Sequence, residues 1–126
     1  MAKKILLCED SAFFAQAIST LLTSQGYEVT VAPDGMQGLD ILKGQKDFSM
    51  ILCDIMMPGI DGFGVVREVR NDPELTQIPF IFLTGVTDQD SMFKAQDAGA
   101  TDYFIKSNVG MDKIIELVQK HIGPAL

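Results

Sequence analysis

Five short apolar runs, each closed by turn residues and each followed by a stretch of helical period, restrict the fold of this chain more than any other feature. The runs are KKILLC (3–8), YEVTVA (27–32), MILCD (50–54), PFIFLT (79–84) and TDYFIK (101–106). From Ser11 the apolar residues fall at Phe14, Ala17, Ile18, Leu21 and Leu22. That i, i+3, i+4, i+7, i+8 stripe predicts an amphipathic helix, with Ser11 as N-cap and Gly26 as its stop. Met36, Leu39, Ile41 and Leu42 predict a short second helix, and Phe63, Val65, Val66 and Val69 a third that ends before Pro73. A fourth runs from Met92 to Ala98, stopped by Gly99. Met111, Ile114, Ile115, Leu117, Val118 and Ile122 mark a fifth, stopped by Gly123-Pro124.

Strict βα alternation implies a parallel sheet with helices on both faces. Nearly continuous apolar strands agree, because central parallel strands are buried on both sides. The alternating pattern of residues 27–32 instead predicts a half-buried edge strand. The 126 residues amount to one α/β domain, 1–126, with no linker or repeat.

Composition narrows the function classes. Hydrophobic content of 47% and charged content of 21% argue for a globular chain and against disorder. No apolar run approaches the roughly 18–20 residues of a membrane span. Residues 5–8 are too short for a signal-peptide core of about 7–15 residues, so a cytoplasmic location is expected. A net charge of −7 disfavours direct nucleic acid binding, which needs clustered Lys and Arg. Cys8 and Cys53 close apolar runs and read as small buried hydrophobes, not as a disulfide or a zinc site.

In sheets of this type, functional groups collect where strands end at the carboxyl edge. There the sequence places Glu9 and Asp10, Asp54, Thr84 and Lys106. Three carboxylates a few ångströms apart do not all stay ionised without compensation. Lys106 supplies one positive charge, and the remainder suits a hard divalent cation with oxygen ligands. Mg2+ fits best, since it uses one or two carboxylates, keeps waters and leaves room for a phosphate oxygen. A carboxylate beside Mg2+ and a lysine can act as a nucleophile toward phosphorus, with Thr84 hydrogen-bonding the transferring group. The first turn, CEDSAF, is acidic and lacks glycine, which argues against a dinucleotide or flavin phosphate.

On these residues the chain resembles the receiver domain of two-component response regulators. The resemblance spans residues 3–122 and is carried by LLCEDS, by ILCDIMMPGIDG with its D-x-x-M-P-G-x-D-G pattern, by PFIFLTG and by GATDYFIKS. It implies a CheY-like, flavodoxin-like (βα)5 fold with strand order 2-1-3-4-5. It implies Asp54 as phosphoacceptor, and Mg2+ held by the side chains of Asp10 and Asp54 and the backbone carbonyl of Met56. Glu9 would act largely through metal-bound water. Lys106 would pair with the phosphoryl oxygens, Thr84 would be the switch hydroxyl and Tyr103 the switch aromatic. Met57, Pro58, Gly59 and Gly62 would shape the loop after the acceptor.

The implied phosphodonor is a histidine kinase or a histidine phosphotransfer protein. The implied output is a change in the face made by the fourth helix, fifth strand and fifth helix. A downstream target, an output domain or a phosphorylation-dependent homodimer would read that face. Such a domain is not an enzyme beyond its own Mg2+-dependent phosphorylation and dephosphorylation. The family commonly has proline after the lysine, whereas this chain has Ser107. A trans Lys106–Ser107 bond is expected, because a cis bond without proline costs roughly 2.5–4 kcal/mol. Met56 and Val86 are apolar and do not position an attacking water, so slow loss of phosphate is expected. His121, near a helix end, is expected to complement the dipole or pack. The alternatives are a phosphorylation-independent interaction domain on the same fold and an aspartyl-phosphate hydrolase, whose D-x-D pattern is absent after Asp54.

Overall fold

The computed structural model describes residues 2–85, 89–106 and 110–126, the side chains of 89–91 excepted. Along these residues strands and helices alternate: β1 (Lys4–Cys8), α1 (Ala12–Ser24), β2 (Glu28–Ala32), α2 (Gly35–Gly44), β3 (Met50–Asp54), α3 (Gly62–Asn71), β4 (Phe80–Thr84), α4 (Gln89–Ala98), β5 (Asp102–Ile105) and α5 (Lys113–Ile122). The strands form one parallel sheet in the order β2-β1-β3-β4-β5. The alternation of apolar runs predicts such a parallel sheet, and the flavodoxin-like strand order is the one that the family resemblance implies.

Every residue of β3 and β4 is buried, as central parallel strands require. Alternate side chains feed two cores. Leu6, Cys8, Ile51, Cys53, Phe80 and Phe82 pack with residues of α2, α3 and α4, including Leu42, Val65, Val69 and Ala95. Ile5, Leu7, Met50, Leu52, Ile81 and Leu83 pack with α1 and α5 through Ala15, Ile18, Leu22, Ile114 and Val118. β2 lies at the edge, with Glu28 and Val31 exposed.

Two helix faces differ from the expected stripes. The core face of α1 is Ala15, Ile18 and Leu22, while Phe14, Ala17 and Leu21 are only half-buried. The helix is turned so that Phe14 points its first turn toward the strand ends. In α2, Met36 is exposed; Gly38 lies against Cys8 and Ala32 of the sheet, Gly35 against Ile60 and Val65, and Leu42 is in the core. Gly35 and Gly38 let this helix approach closely, and Leu39, Ile41 and Leu42 pack in or against the core as the stripe predicts.

Three helix starts are fixed locally. Ser11 accepts from the Phe14 amide, Asp34 from the Gln37 amide at 2.8 Å, and Asp61 from the Gly64 amide at 2.9 Å. The Asp61 cap has a further consequence. It starts α3 at Gly62, where an added Cβ would lie 2.5 Å from the Asp54 carbonyl oxygen and 2.9 Å from Ile55 Cα. Only glycine lets the helix start press against the end of β3. The Gly62 amide then donates to the Ile55 carbonyl at 2.9 Å and closes the loop that follows Asp54. Within that loop Gly59 takes φ 77°, a left-handed turn that glycine adopts without steric cost.

Candidate functional site

Strand register sets the site. Cys8 pairs with Cys53, so Glu9 and Asp54 lie side by side one step later. Asp54 is opposite Leu83, and Thr84 is opposite Ile105, which brings Thr84 and Lys106 to the same edge. Backbone bonds extend the ladders past the strand ends. The Glu9 amide donates to the Ala32 carbonyl at 3.0 Å, and the Lys106 amide to the Thr84 carbonyl at 2.7 Å. Glu9, Asp54 and Thr84 thus stand at the ends of strands flanked on both sides, and Lys106 at the end of the edge strand β5.

Lys106 bridges two of the acids. Its Nζ donates to Glu9 Oε1 at 2.7 Å and to Asp54 Oδ2 at 3.0 Å. The Glu9 side chain is fully buried, that of Asp54 is 7% exposed and that of Lys106 12% exposed. Asp10 is exposed at the rim. Carboxylate oxygens of Glu9, Asp10 and Asp54 lie within 4.8 Å of one another. Glu9 Oε2 also accepts from the Ser11 amide at 3.3 Å, and Asp54 Oδ1 from the Met56 amide at 3.4 Å.

These contacts shift the ionisation of the cluster. The Glu9 carboxyl is pushed up to about 7, chiefly by burial and then by its bond to Asp54, against the opposing pull of Lys106. Burial alone would lower Lys106, but its bonds to Glu9 and Asp54 outweigh that and raise it. One ammonium does not neutralise three carboxylates, and the raised Glu9 carboxyl reflects that excess of negative charge. A hard cation would relieve the same excess. The donor set, all oxygen with Asp10 open to solvent, fits Mg2+. Both oxygens of Glu9 and both of Asp54 already have protein partners, whereas Asp10 stands exposed at the rim.

The structure therefore brings together Glu9, Asp10, Asp54 and Lys106 as expected from sequence, with buried Thr84 at the end of the neighbouring strand. The Met56 side chain is 70% exposed and stands outside the core. Tyr103 is half-buried and lines a groove of ≈ 420 Å³ between α4 and β5, together with Met92, Phe93 and Gln96. Val86 and Ser107, and with them the Lys106–Ser107 bond, lie outside the described residues. Cys8 and Cys53 are free and buried, and burial pushes the Cys53 thiol well up. His121 Nε2 lies 2.9 Å from Asp102 Oδ2, which ties α5 to β5.

Sequence reasoning missed two residues. Phe14, expected in the core stripe, has its ring under Lys106, with Nζ 4.8 Å from the centroid. Its place on the first turn after the acidic pair was the available signal. Arg70, which belongs to no apolar stripe or motif of the sequence, donates to the carbonyls of Thr76, Ile78 and Gly99 at 3.0, 2.8 and 2.9 Å. Nothing in the local sequence distinguishes it from Arg67.

Comparison with known proteins agrees with this geometry. The family model described as the response regulator receiver domain matches residues 5–119. A probable transcriptional regulator, ycf27, of Galdieria sulphuraria is 36% identical over 82% of this chain and 39% of its own length. This chain spans about two fifths of the length of such regulators. Among solved structures, the receiver domain of the sensor histidine kinase PA1611 of Pseudomonas aeruginosa is 31% identical, with TM-score 0.87 over 98% of this chain and 99% of that one. That structure has magnesium coordinated in its active site cleft. The Vibrio cholerae chemotaxis protein CheY4 is 28% identical, with TM-score 0.89 over 96% of this chain and 99% of that one.

Proposed function

The chain belongs to the response regulator receiver family, the phosphoacceptor modules of two-component signalling, and from that premise we propose that Asp54 is its phosphoacceptor. The observation that carries this reading is the Lys106 ammonium bridging Glu9 and Asp54, within a cluster of three acids at the carboxyl edge. Asp10 and Asp54 would hold Mg2+ through their side chains, with the Met56 carbonyl as a further ligand and Glu9 acting through water. When bound, Mg2+ supplies positive charge to the non-bridging phosphoryl oxygens.

An Asp54 carboxylate oxygen attacks phosphorus of a phosphohistidine. The new O–P bond forms as the P–N bond breaks, and its electron pair goes to the imidazole nitrogen, which takes a proton. Lys106 exchanges its carboxylate partner for a phosphoryl oxygen and offsets the roughly −1.5 to −2 charge that the group brings. The buried hydroxyl of Thr84 turns toward the phosphoryl group, and Tyr103 moves further into the groove it lines. The face of α4, β5 and α5 then differs between the two forms, and a partner that prefers the phosphorylated form shifts the population.

The donor in this reading is a histidine kinase or histidine phosphotransfer protein in the cytoplasm. The reader is a downstream target, an output domain or a second copy of the chain. Among the described residues no helix is long and apolar enough to cross a membrane. Receiver domains are generally not metabolic enzymes, and the chemistry assigned here is confined to the chain's own phosphorylation and hydrolysis. The exposed, apolar Met56 offers no group to orient water, which favours slow hydrolysis. Incubation with acetyl phosphate and Mg2+ tests the reading. The wild type is expected to gain one phosphoryl group and Asp54→Ala none. Unchanged labelling of Asp54→Ala overturns the assignment.

A further inference from the structure

The first turn of α1 reaches over the acidic site. Its N-cap, Ser11, accepts from the Phe14 amide at 3.4 Å, and this cap holds the backbone that carries the Phe14 side chain. The ring is half-buried and meets Phe13 edge-on, with centroids 5.5 Å apart and planes at 84°. Lys106 Nζ lies over that ring, 4.8 Å from its centroid. An ammonium has three N–H donors. Glu9 Oε1 takes one and Asp54 Oδ2 another, and the ring face lies against the same ammonium. A cation within about 6 Å of a ring centroid is attracted by the ring quadrupole, and more so when water is kept away. The Lys106 side chain is only 12% exposed.

We propose that Phe14 is a positioning residue for phosphoryl transfer, its π face holding the Lys106 ammonium while that ammonium exchanges a carboxylate for a phosphoryl oxygen. The inference rests on Asp54 being the acceptor. Its physical basis is the mismatch between the two kinds of partner. Glu9 and Asp54 compete with the incoming phosphoryl group for the same N–H donors. The ring does not compete, takes no proton and adds no charge to a site that already holds three carboxylates. It therefore fixes the ammonium throughout the exchange. An aliphatic side chain would fill the same space without attracting the cation.

The test follows the labelling rate of the full chain by acetyl phosphate in saturating Mg2+, for wild type, Phe14→Leu, Phe14→Tyr and Asp54→Ala, each scaled to folded protein. Phe14→Leu is expected to lower the limiting rate about 3- to 10-fold, and Phe14→Tyr, which keeps the ring, to stay within about 2-fold of wild type. The Mg2+ concentration for half-maximal rate should not move, because Phe14 acts on Lys106 and not on the metal ligands. If Phe14→Leu does not fold, Phe14→Met carries the same comparison. Equal rates for wild type and the aliphatic variant, or equal loss in Phe14→Tyr, overturn the role of Phe14 while an unlabelled Asp54→Ala keeps the acceptor. Labelling of Asp54→Ala overturns the acceptor, and the inference with it.

Discussion

Arg70 and Lys106 are both partly buried cations that tie several chain segments together, one at the amino edge of the sheet and the other at the carboxyl edge. Arg70 reaches from α3 to the segments entering β4 and β5. It donates to three backbone carbonyls and, at 3.3 Å, to Thr101 Oγ1. Its partners are neutral, so burial lowers its pKa. Lys106 donates to two carboxylates, and its pKa is raised despite burial. At the amino edge, the cation satisfies carbonyls that the strand starts leave over. At the carboxyl edge, one cation faces more negative charge than it neutralises. The first arrangement is complete as folded, while the second is poised to accept further positive charge or to exchange partners.

Removing each cation should therefore have opposite signatures. Lys106→Met should lower the acetyl phosphate labelling rate by about 10²–10³-fold, the range for losing one preorganised donor to developing charge. Its cost in stability should be about 2 kcal/mol, below the roughly 3–5 kcal/mol of a fully buried broken pair, because Glu9 can take up a proton. Arg70→Met should cost about 3 kcal/mol, since three carbonyls lose their donor together. It should leave the labelling rate of folded protein unchanged. Denaturant titrations paired with labelling rates check both. A large rate loss in Arg70→Met would break the separation between the two edges.

The legibility of these edges in the sequence differs for the same reason. Strand-end acids and a lysine announce themselves by type and position, because Asp and Lys are rarely placed at the end of a buried strand without a partner. Glu9, Asp10, Asp54 and Lys106 were readable in this way; the parallel sheet covered on both faces followed from the alternation, and its strand order from the family resemblance. Arg70 was not readable, because its partners are carbonyls and carry no side-chain signature. Phe14 was obscured by period. A first-turn aromatic satisfies a helical stripe whether it faces the core or the strand ends, and only the rotation of α1 about Ala15, Ile18 and Leu22 decides. The same ambiguity holds for Met36, which is exposed while Leu39, Ile41 and Leu42 of the same stripe pack in or against the core.

The excess charge at the carboxyl edge should also be visible as a pH dependence. Glu9 has its carboxyl raised from 4.5 to about 7 in the folded chain. Between those values the folded state binds more protons than the unfolded state, so stability falls as pH rises through the window and levels off above about 7. The loss should be of order 1–3 kcal/mol. Thermal unfolding from pH 4.5 to 8 without Mg2+ measures it. Glu9→Gln should flatten the slope, and millimolar Mg2+ should restore stability more at pH 8 than at pH 5. A flat wild-type profile would mean that the amino and carboxyl edges do not differ in charge balance.

The smallest effect belongs to the amino edge, where Tyr27 is 2% exposed and its hydroxyl donates to the Gly123 carbonyl at 2.5 Å. This bond closes the end of α5 onto the start of β2, beside the Lys3 amide bond to the Ala125 carbonyl at 2.9 Å. Burial pushes the Tyr27 phenol up, so it remains a protonated donor throughout the window in which Glu9 titrates. Tyr27→Phe keeps the ring and its packing and removes only the donor, leaving a carbonyl that is partly open to water. The expected cost is about 1 kcal/mol, or roughly 3–5 °C in Tm. That decrement should be the same at pH 5 and pH 8, because the phenol and the carbonyl that form the bond are both neutral across that range. The labelling rate should not change. A decrement that grows with pH would show that the two edges are coupled, and would locate part of the strain of the acidic site at the far end of the sheet.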